Sequence, residues 1–206
     1  MHIQLTNIGK RYNYEWIFRK VNVEFINENK YVILGANGSG KSTLLQLIAG
    51  NLIPSEGEIV FNVNAENIDQ ENLYRHISYS APYLDVFEEY TLQEAIEFQG
   101  KFKAYLNGLA ANEIIVLTEL EKVKNKQLKY FSSGMKQRVK LALAILADTS
   151  LLLLDEPTSN LDKKAIDWYQ KLVNNYSKNR LIIVCSNQIE YEYSFCNKQL
   201  QIEDYK

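Results

Sequence analysis

The sequence predicts an α/β fold with a mostly parallel sheet, and three observations carry that prediction. Apolar runs at Tyr31-Val32-Ile33-Leu34, Leu151-Leu152-Leu153-Leu154 and Leu181-Ile182-Ile183-Val184 read as buried strands. Helical patterns separate such strands, and that alternation implies parallel pairing. Gly35-Ala36-Asn37-Gly38-Ser39-Gly40-Lys41-Ser42 has the form G-x-x-x-x-G-K-S and joins the first apolar run to a helical stretch, Thr43 to Ala49.

The remaining elements follow in chain order. Ile3 and Leu5 alternate with polar residues, as do Val21, Val23 and Phe25, so both segments read as half-buried strands. Pro54-Ser55-Glu56-Gly57-Glu58 is turn chemistry ahead of a further strand, Ile59-Val60-Phe61. The early chain is therefore rich in antiparallel-type strands. Ile77 to Ser80 is a short strand. Thr91-Leu92-Gln93-Glu94 is a capping-box pattern, followed at helical spacing by Ala95, Ile96, Phe98, Phe102 and Leu106. A second helix is expected from Ala111 to about Glu121, a third from Ser133 onward, and a fourth over Lys163 to Tyr176. The simplest organisation is one unit, 1–206, with a helical insertion at approximately 83–147.

Composition narrows the function classes. Of 206 residues, 46% are apolar and 23% charged, enough for a substantial core. A net charge of −2 gives no basic field for nucleic acid, and no nucleic-acid partner is expected. Lys122, Lys124, Lys126 and Lys129 read as a solvated face. Two cysteines, Cys185 and Cys196, are too few for a disulfide framework, which fits a reducing cytoplasm. Met1-His2-Ile3-Gln4-Leu5 is no secretory leader, and no apolar run approaches the ~20 residues of a membrane span.

The chemistry begins at the glycine-rich loop. Glycines let backbone N–H groups curl around phosphate, and the following helix adds free N–H groups and a positive dipole end. Lys41 is suited to the outer phosphates and the Ser42 hydroxyl to Mg²⁺. Leu151 to Leu154 place Asp155 at the carboxyl end of a buried strand, where open α/β sheets bind ligands. Asp155 can hold Mg²⁺ directly or through water, and Glu156 can polarise an attacking water. Ser132-Ser133-Gly134 opens a strongly helical segment and offers a second anion site.

In order and spacing, these motifs resemble the ATP-binding-cassette (ABC) ATPases over essentially the whole chain. Gly35 to Ser42 matches the first nucleotide motif of that family. Ser132-Ser133-Gly134-Met135-Lys136-Gln137-Arg138 is similar to its signature S-G-G-Q-[KR]-Q-R, with Ser for one Gly and Met for the Gln. Leu151 to Glu156 matches the second nucleotide motif, and Ser159-Asn160-Leu161-Asp162 the D-loop. The resemblance implies a P-loop NTPase core with an antiparallel β subdomain and an α-helical signature subdomain. It implies ATP and Mg²⁺ as ligands, held by Asn37, Gly38, Ser39, Gly40, Lys41, Ser42 and Thr43, with Ser42 and Asp155 toward the metal. Tyr12 falls where the family stacks an aromatic ring on adenine, although it is also one of 14 tyrosines. The family pairs two such domains head to tail, so Ser132, Ser133 and Gly134 would contact ATP held by the partner. The expected partners are a second cassette and a membrane-spanning permease, with the chain peripheral on the cytoplasmic face of the membrane.

Two positions depart from the family. Pro82 stands where a Gln usually touches Mg²⁺ and the attacking water, and Pro has neither a side-chain ligand nor an N–H. Asn187 stands where a His usually contacts the γ-phosphate; Asn donates a hydrogen bond but carries no charge. Slow hydrolysis, with Glu156 and Asn187 as the catalytic pair, is the expectation. Tyr83, Leu84, Val86, Phe87 and Tyr90 are either a locally packed loop or, by the resemblance, the receiver of a permease coupling helix. The chain stops soon after its last strand, a short form similar to export-type cassettes. The alternatives are a non-transport cassette and a degenerate cassette acting as a regulatory ATP-binding module. A GTPase would need N-K-x-D, and Asn125-Lys126-Gln127-Leu128 lacks the final carboxylate.

Overall fold

The computed structural model describes residues 1–27 and 29–206. The chain divides into two compact units: Met1–Tyr79 with Ser150–Glu156 and Asn179–Lys206, and Ser80–Thr149 with Pro157–Lys178.

The first unit begins with strands β1 (His2–Tyr12), β2 (Glu15–Ile26) and β3 (Lys30–Leu34), then helix α1 (Lys41–Ile48). Strands β4 (Glu56–Val63), β5 (Glu66–Asn67) and β6 (Ile77–Ser80) follow. The order β2-β1-β4-β5 forms an antiparallel sheet. Alternation along β1 and β2 buries Ile3, Leu5, Ile8, Phe18, Val21 and Phe25 on one face, as a one-sided sheet requires.

The second unit carries the helices α2 (Leu92–Gly100), α3 (Ala111–Thr118) and α4 (Ser133–Leu146). After strand β7 (Leu151–Asp155), helix α5 (Lys163–Tyr176) returns to that unit. Strand β8 (Leu181–Ser186), the short helix α6 (Glu190–Tyr193) and strand β9 (Lys198–Gln201) complete the first unit. Its main sheet has the order β6-β7-β8-β3-β9, and β7, β8, β3 and β9 run parallel. Every residue of β7 and β8 is buried, which explains their unbroken apolar sequence. Phe25, Ile33, Leu44, Leu153 and Ile183 belong to one apolar core shared by both sheets and α1.

Within the second unit, side-chain hydrogen bonds tie the helices together. Gln99 donates to the Leu143 carbonyl at 2.7 Å and Trp168 to the Leu117 carbonyl at 2.7 Å. Thr91 and Glu94 close the expected capping box on α2.

Several boundaries differ from the sequence reading. Helix α2 stops at Gly100, so Phe102 and Leu106 lie outside it. The chain turns back there, because the Tyr105 hydroxyl donates to the Ile96 carbonyl at 2.7 Å and Tyr105 bridges Ala147. Helix α3 ends at Thr118, where Glu119 takes φ 56° in the left-handed region. Strand β4 starts inside the expected turn, at Glu56.

Candidate functional site

Parallel register sets the geometry of the site. β3 lies between β8 and β9, and β7 lies on the far side of β8. Leu34 is level with Ser186, and Asp155 is level with Cys185. The loop after Leu34, the carboxylates at the end of β7 and the turn after β8 therefore share one edge of the sheet.

The loop closes on itself. Lys41 is 4% exposed, and its ammonium donates to the carbonyls of Gly35 at 2.9 Å and Ala36 at 3.0 Å. Gly40 adopts φ 106°, and a Cβ there would lie 2.6 Å from Ile17 Cγ2. Only glycine fits that turn without strain. A cleft of about 250 Å³ is lined by Ile17, Asn37, Gly38, Gly40, Lys41, Ser42, Thr43 and Glu156. Glu156 Oε1 lies 4.0 Å from Lys41 Nζ. Glu156 also has φ 42°, which costs on the order of 1 kcal/mol or more for a side-chain-bearing residue and marks an imposed geometry. Its N–H donates to the Cys185 carbonyl at 2.9 Å, which fixes its place beside β8.

Asp155 is 1% exposed, and neither carboxylate oxygen has a hydrogen-bond partner of normal geometry within the described chain. Desolvation by burial pushes its pKa up to about 6. The neighbouring Ser42 hydroxyl pulls the other way, Glu156 raises it further, and Lys41 lowers it. A buried carboxylate with two unused oxygens beside a hydroxyl suits a hard cation. Among the described residues, no group of three or more His, Cys, Asp or Glu side chains could hold a metal ion. Ser39 is also buried with its hydroxyl unpartnered inside the loop.

Tyr12 ends β1, is 48% exposed, and has Lys10 Nζ 5.3 Å from its ring centroid. Asn187 is exposed on the turn directly after β8. In the second unit, Ser132 caps α4 by accepting the Met135 N–H at 3.2 Å, and Ser132 and Ser133 are exposed. A Cβ on Gly134 would lie 2.9 Å from the Asn160 carbonyl, so the signature helix and the D-loop touch at a point only glycine allows. Gln137 is buried and donates to the Pro157 carbonyl at 2.8 Å. Pro82 offers its carbonyl instead of a side chain: Lys140 Nζ donates to Ala81 and Pro82, each at 3.2 Å.

A family model described as ABC transporter matches residues 18–159. The chain belongs to the ABC transporter family. It is an ABC ATPase, the ATP-binding subunit of such a transporter. It is 31% identical to the energy-coupling factor transporter ATP-binding protein of Thermotoga maritima, over 93% of this chain and 74% of that protein. It is 30% identical to an ABC transporter ATP-binding protein of Bacillus subtilis over 87% of this chain, and there it spans only 60% of the relative's length. An ATP-binding cassette solved as a dimer in a post-hydrolysis state, bound to ADP and Pi, superposes with a TM-score of 0.82 at 25% identity. That match covers 98% of this chain and 94% of the other.

The structure adds site residues that the sequence reading missed. Ile17 lines the ABC cassette's cleft from β2, beside fully buried Phe18, and no motif announces it. Glu203 accepts the Ala36 N–H at 2.8 Å, with no motif to announce it. The aromatic stretch is partly packed: Phe87, Tyr90, Phe98 and Phe102 form a chain of ring contacts at 5.0–5.7 Å. Phe87 and Tyr83 nevertheless remain exposed. Among the described residues, no helix is long and apolar enough to cross a membrane.

Proposed function

We propose that this cassette binds and hydrolyses MgATP as one half of a head-to-tail pair and so drives a separate membrane-spanning permease. The observation that carries the reading is the cleft that joins the Asn37–Thr43 loop to Glu156, with the buried carboxyl of Asp155 next to Glu156 at the end of β7. In this reading Asn37 to Thr43 present N–H groups to the phosphates, and Lys41 carries the full positive charge. Tyr12 stacks on adenine. Ser42 and Asp155 would hold Mg²⁺, which offsets the negative charge of the phosphates when bound.

Glu156 stands beside Lys41 and orients the attacking water, accepting its proton as the oxygen adds to the γ-phosphorus and the bond to the β–γ bridging oxygen breaks, with ADP leaving. Asn187 donates a hydrogen bond to the departing phosphate. Ser132, Ser133 and Gly134 serve the nucleotide held by the paired cassette. The exposure of Ser132 and Ser133 at the tip of α4, and the fixing of that tip by Ser132 and Gln137, support the role. Pro82 and Asn187 supply fewer polar groups than the family pattern, so turnover is slow. An export direction and a cytoplasmic place against the membrane are part of the proposal.

The test is Glu156→Gln. The variant should release no phosphate and accumulate as an ATP-bound dimer, measured by phosphate release and by light scattering. If the unmutated chain, with its permease, releases no more phosphate than the variant, hydrolysis through Glu156 is refuted. Uptake or release of substrate by vesicles carrying the complex decides the direction.

A further inference from the structure

The register of the edge strand carries the chain past the phosphate loop. Leu34 of β3 is level with Gln201 of β9, and the two strands run parallel. The next residues on each side are Gly35-Ala36 and Ile202-Glu203. Ile202 is fully buried, and a Cβ on Gly35 would lie 2.6 Å from Ile202 Cγ2. Glu203, at the start of the 3₁₀ turn Ile202–Tyr205, accepts the Ala36 N–H at 2.8 Å.

That N–H belongs to the same peptide unit as the Gly35 carbonyl, which accepts the Lys41 ammonium at 2.9 Å. One peptide plane is thus held at both ends by charge: a cation on its oxygen and a carboxylate on its N–H. Each bond polarises the amide and strengthens the other, and charge-assisted bonds of this kind are about twice as strong as neutral ones. The plane sits at the entry of the loop, so its orientation fixes where the following N–H groups point. A carboxylate is otherwise an unfavourable neighbour for a phosphate site. Its cost is offset only if the order it imposes on the loop exceeds the repulsion.

We propose that Glu203 is a positioning residue for nucleotide binding, acting through the Gly35–Ala36 peptide and Lys41. The inference rests on the reading of the cleft as the nucleotide site. The probe is MgADP, titrated by calorimetry into the full chain, the Glu203→Ala variant and the Glu203→Gln variant. Thermal midpoints are measured without nucleotide alongside.

The Ala variant should bind MgADP roughly five- to tenfold more weakly, the loss of part of one charge-assisted hydrogen bond. The Gln variant keeps a neutral acceptor for the Ala36 N–H and should fall between the unmutated chain and the Ala variant. Affinity in the Ala variant equal to or tighter than in the unmutated chain overturns the proposal, since repulsion would then exceed ordering. So does a Gln variant as weak as the Ala variant, or a loss of affinity that follows the thermal midpoint in both variants. No binding of MgADP by the unmutated chain would instead refute the assignment of the cleft itself.

Discussion

Asp155 should make the nucleotide-free protein less stable as pH rises, the reverse of an ordinary paired carboxylate. Its pKa in the folded chain is pushed up to about 6 from 3.8, chiefly by desolvation. The folded state therefore holds its proton more tightly than the unfolded state does. Stability from this group is full below about pH 4, falls as pH climbs toward 6 and beyond, and is flat above that window. A shift of about two units corresponds to ~3 kcal/mol across the whole window, of which roughly 1 kcal/mol falls between pH 5 and pH 7.5.

The perturbation is Asp155→Asn. The amide has its own burial cost, but that cost does not titrate. The stability difference between variant and unmutated chain should therefore shift by roughly 1 kcal/mol in favour of the variant between pH 5 and pH 7.5. The assay is urea denaturation at several pH values, with chelator and without nucleotide. A difference that stays flat with pH, or slopes the other way, would refute the claim that Asp155 is a desolvated, unpaired acid. The same variant should lose the stabilisation that Mg²⁺ adds to nucleotide binding.

Three further outcomes follow from the site. Asn187→His restores a charged donor at the end of β8 and should raise phosphate release by the complex; an unchanged or lower rate would show that Asn187 is already matched to this site. Gly40→Ala forces a side chain into φ 106° and against Ile17 Cγ2, costing roughly 2–4 kcal/mol in denaturation, with weaker nucleotide binding. Tyr12→Ala should weaken nucleotide binding by ~1–3 kcal/mol of stacking while Tyr12→Phe changes little, both read by calorimetry. Equal affinities for the two Tyr12 variants would remove that residue from the site.

The parts of the fold that the sequence revealed are those in which local pattern and tertiary role coincide. Residues 151–154 and 181–184 are buried on both faces, so an unbroken apolar run announces each strand and its parallel setting. The loop at Gly35 to Ser42 was legible for a related reason: its backbone path admits few residue types, and Gly40 shows why. β9 was not legible. Lys198-Gln199-Leu200-Gln201 is polar and only half-buried, and it is a strand because β3 offers it an edge. The early end of α2 was hidden as well, since the Tyr105–Ile96 bond that follows it is tertiary.

The same distinction separates two kinds of site residue. In the proposed reading, Lys41, Ser42, Asp155 and Glu156 do chemistry that demands a residue type at a fixed spacing, and spacing is visible in one dimension. Ile17 reaches the site from the antiparallel sheet and Glu203 through the register of β9 on β3, across 24 and 162 residues from Lys41. Their identity is set by what lies beside them, so several residue types could fill either place in another cassette. Pro82 belongs between these kinds. Its position is announced by the strand before it, yet its replacement contact, the Lys140 ammonium on the Ala81 and Pro82 carbonyls, comes from a helix 58 residues away. A segment held by its carbonyls needs no side-chain ligand to keep its path. In the proposed reading, Pro82 in place of Gln therefore removes a polar group from the chemistry without freeing the loop, so the expected penalty falls on turnover and not on the fold of the second unit.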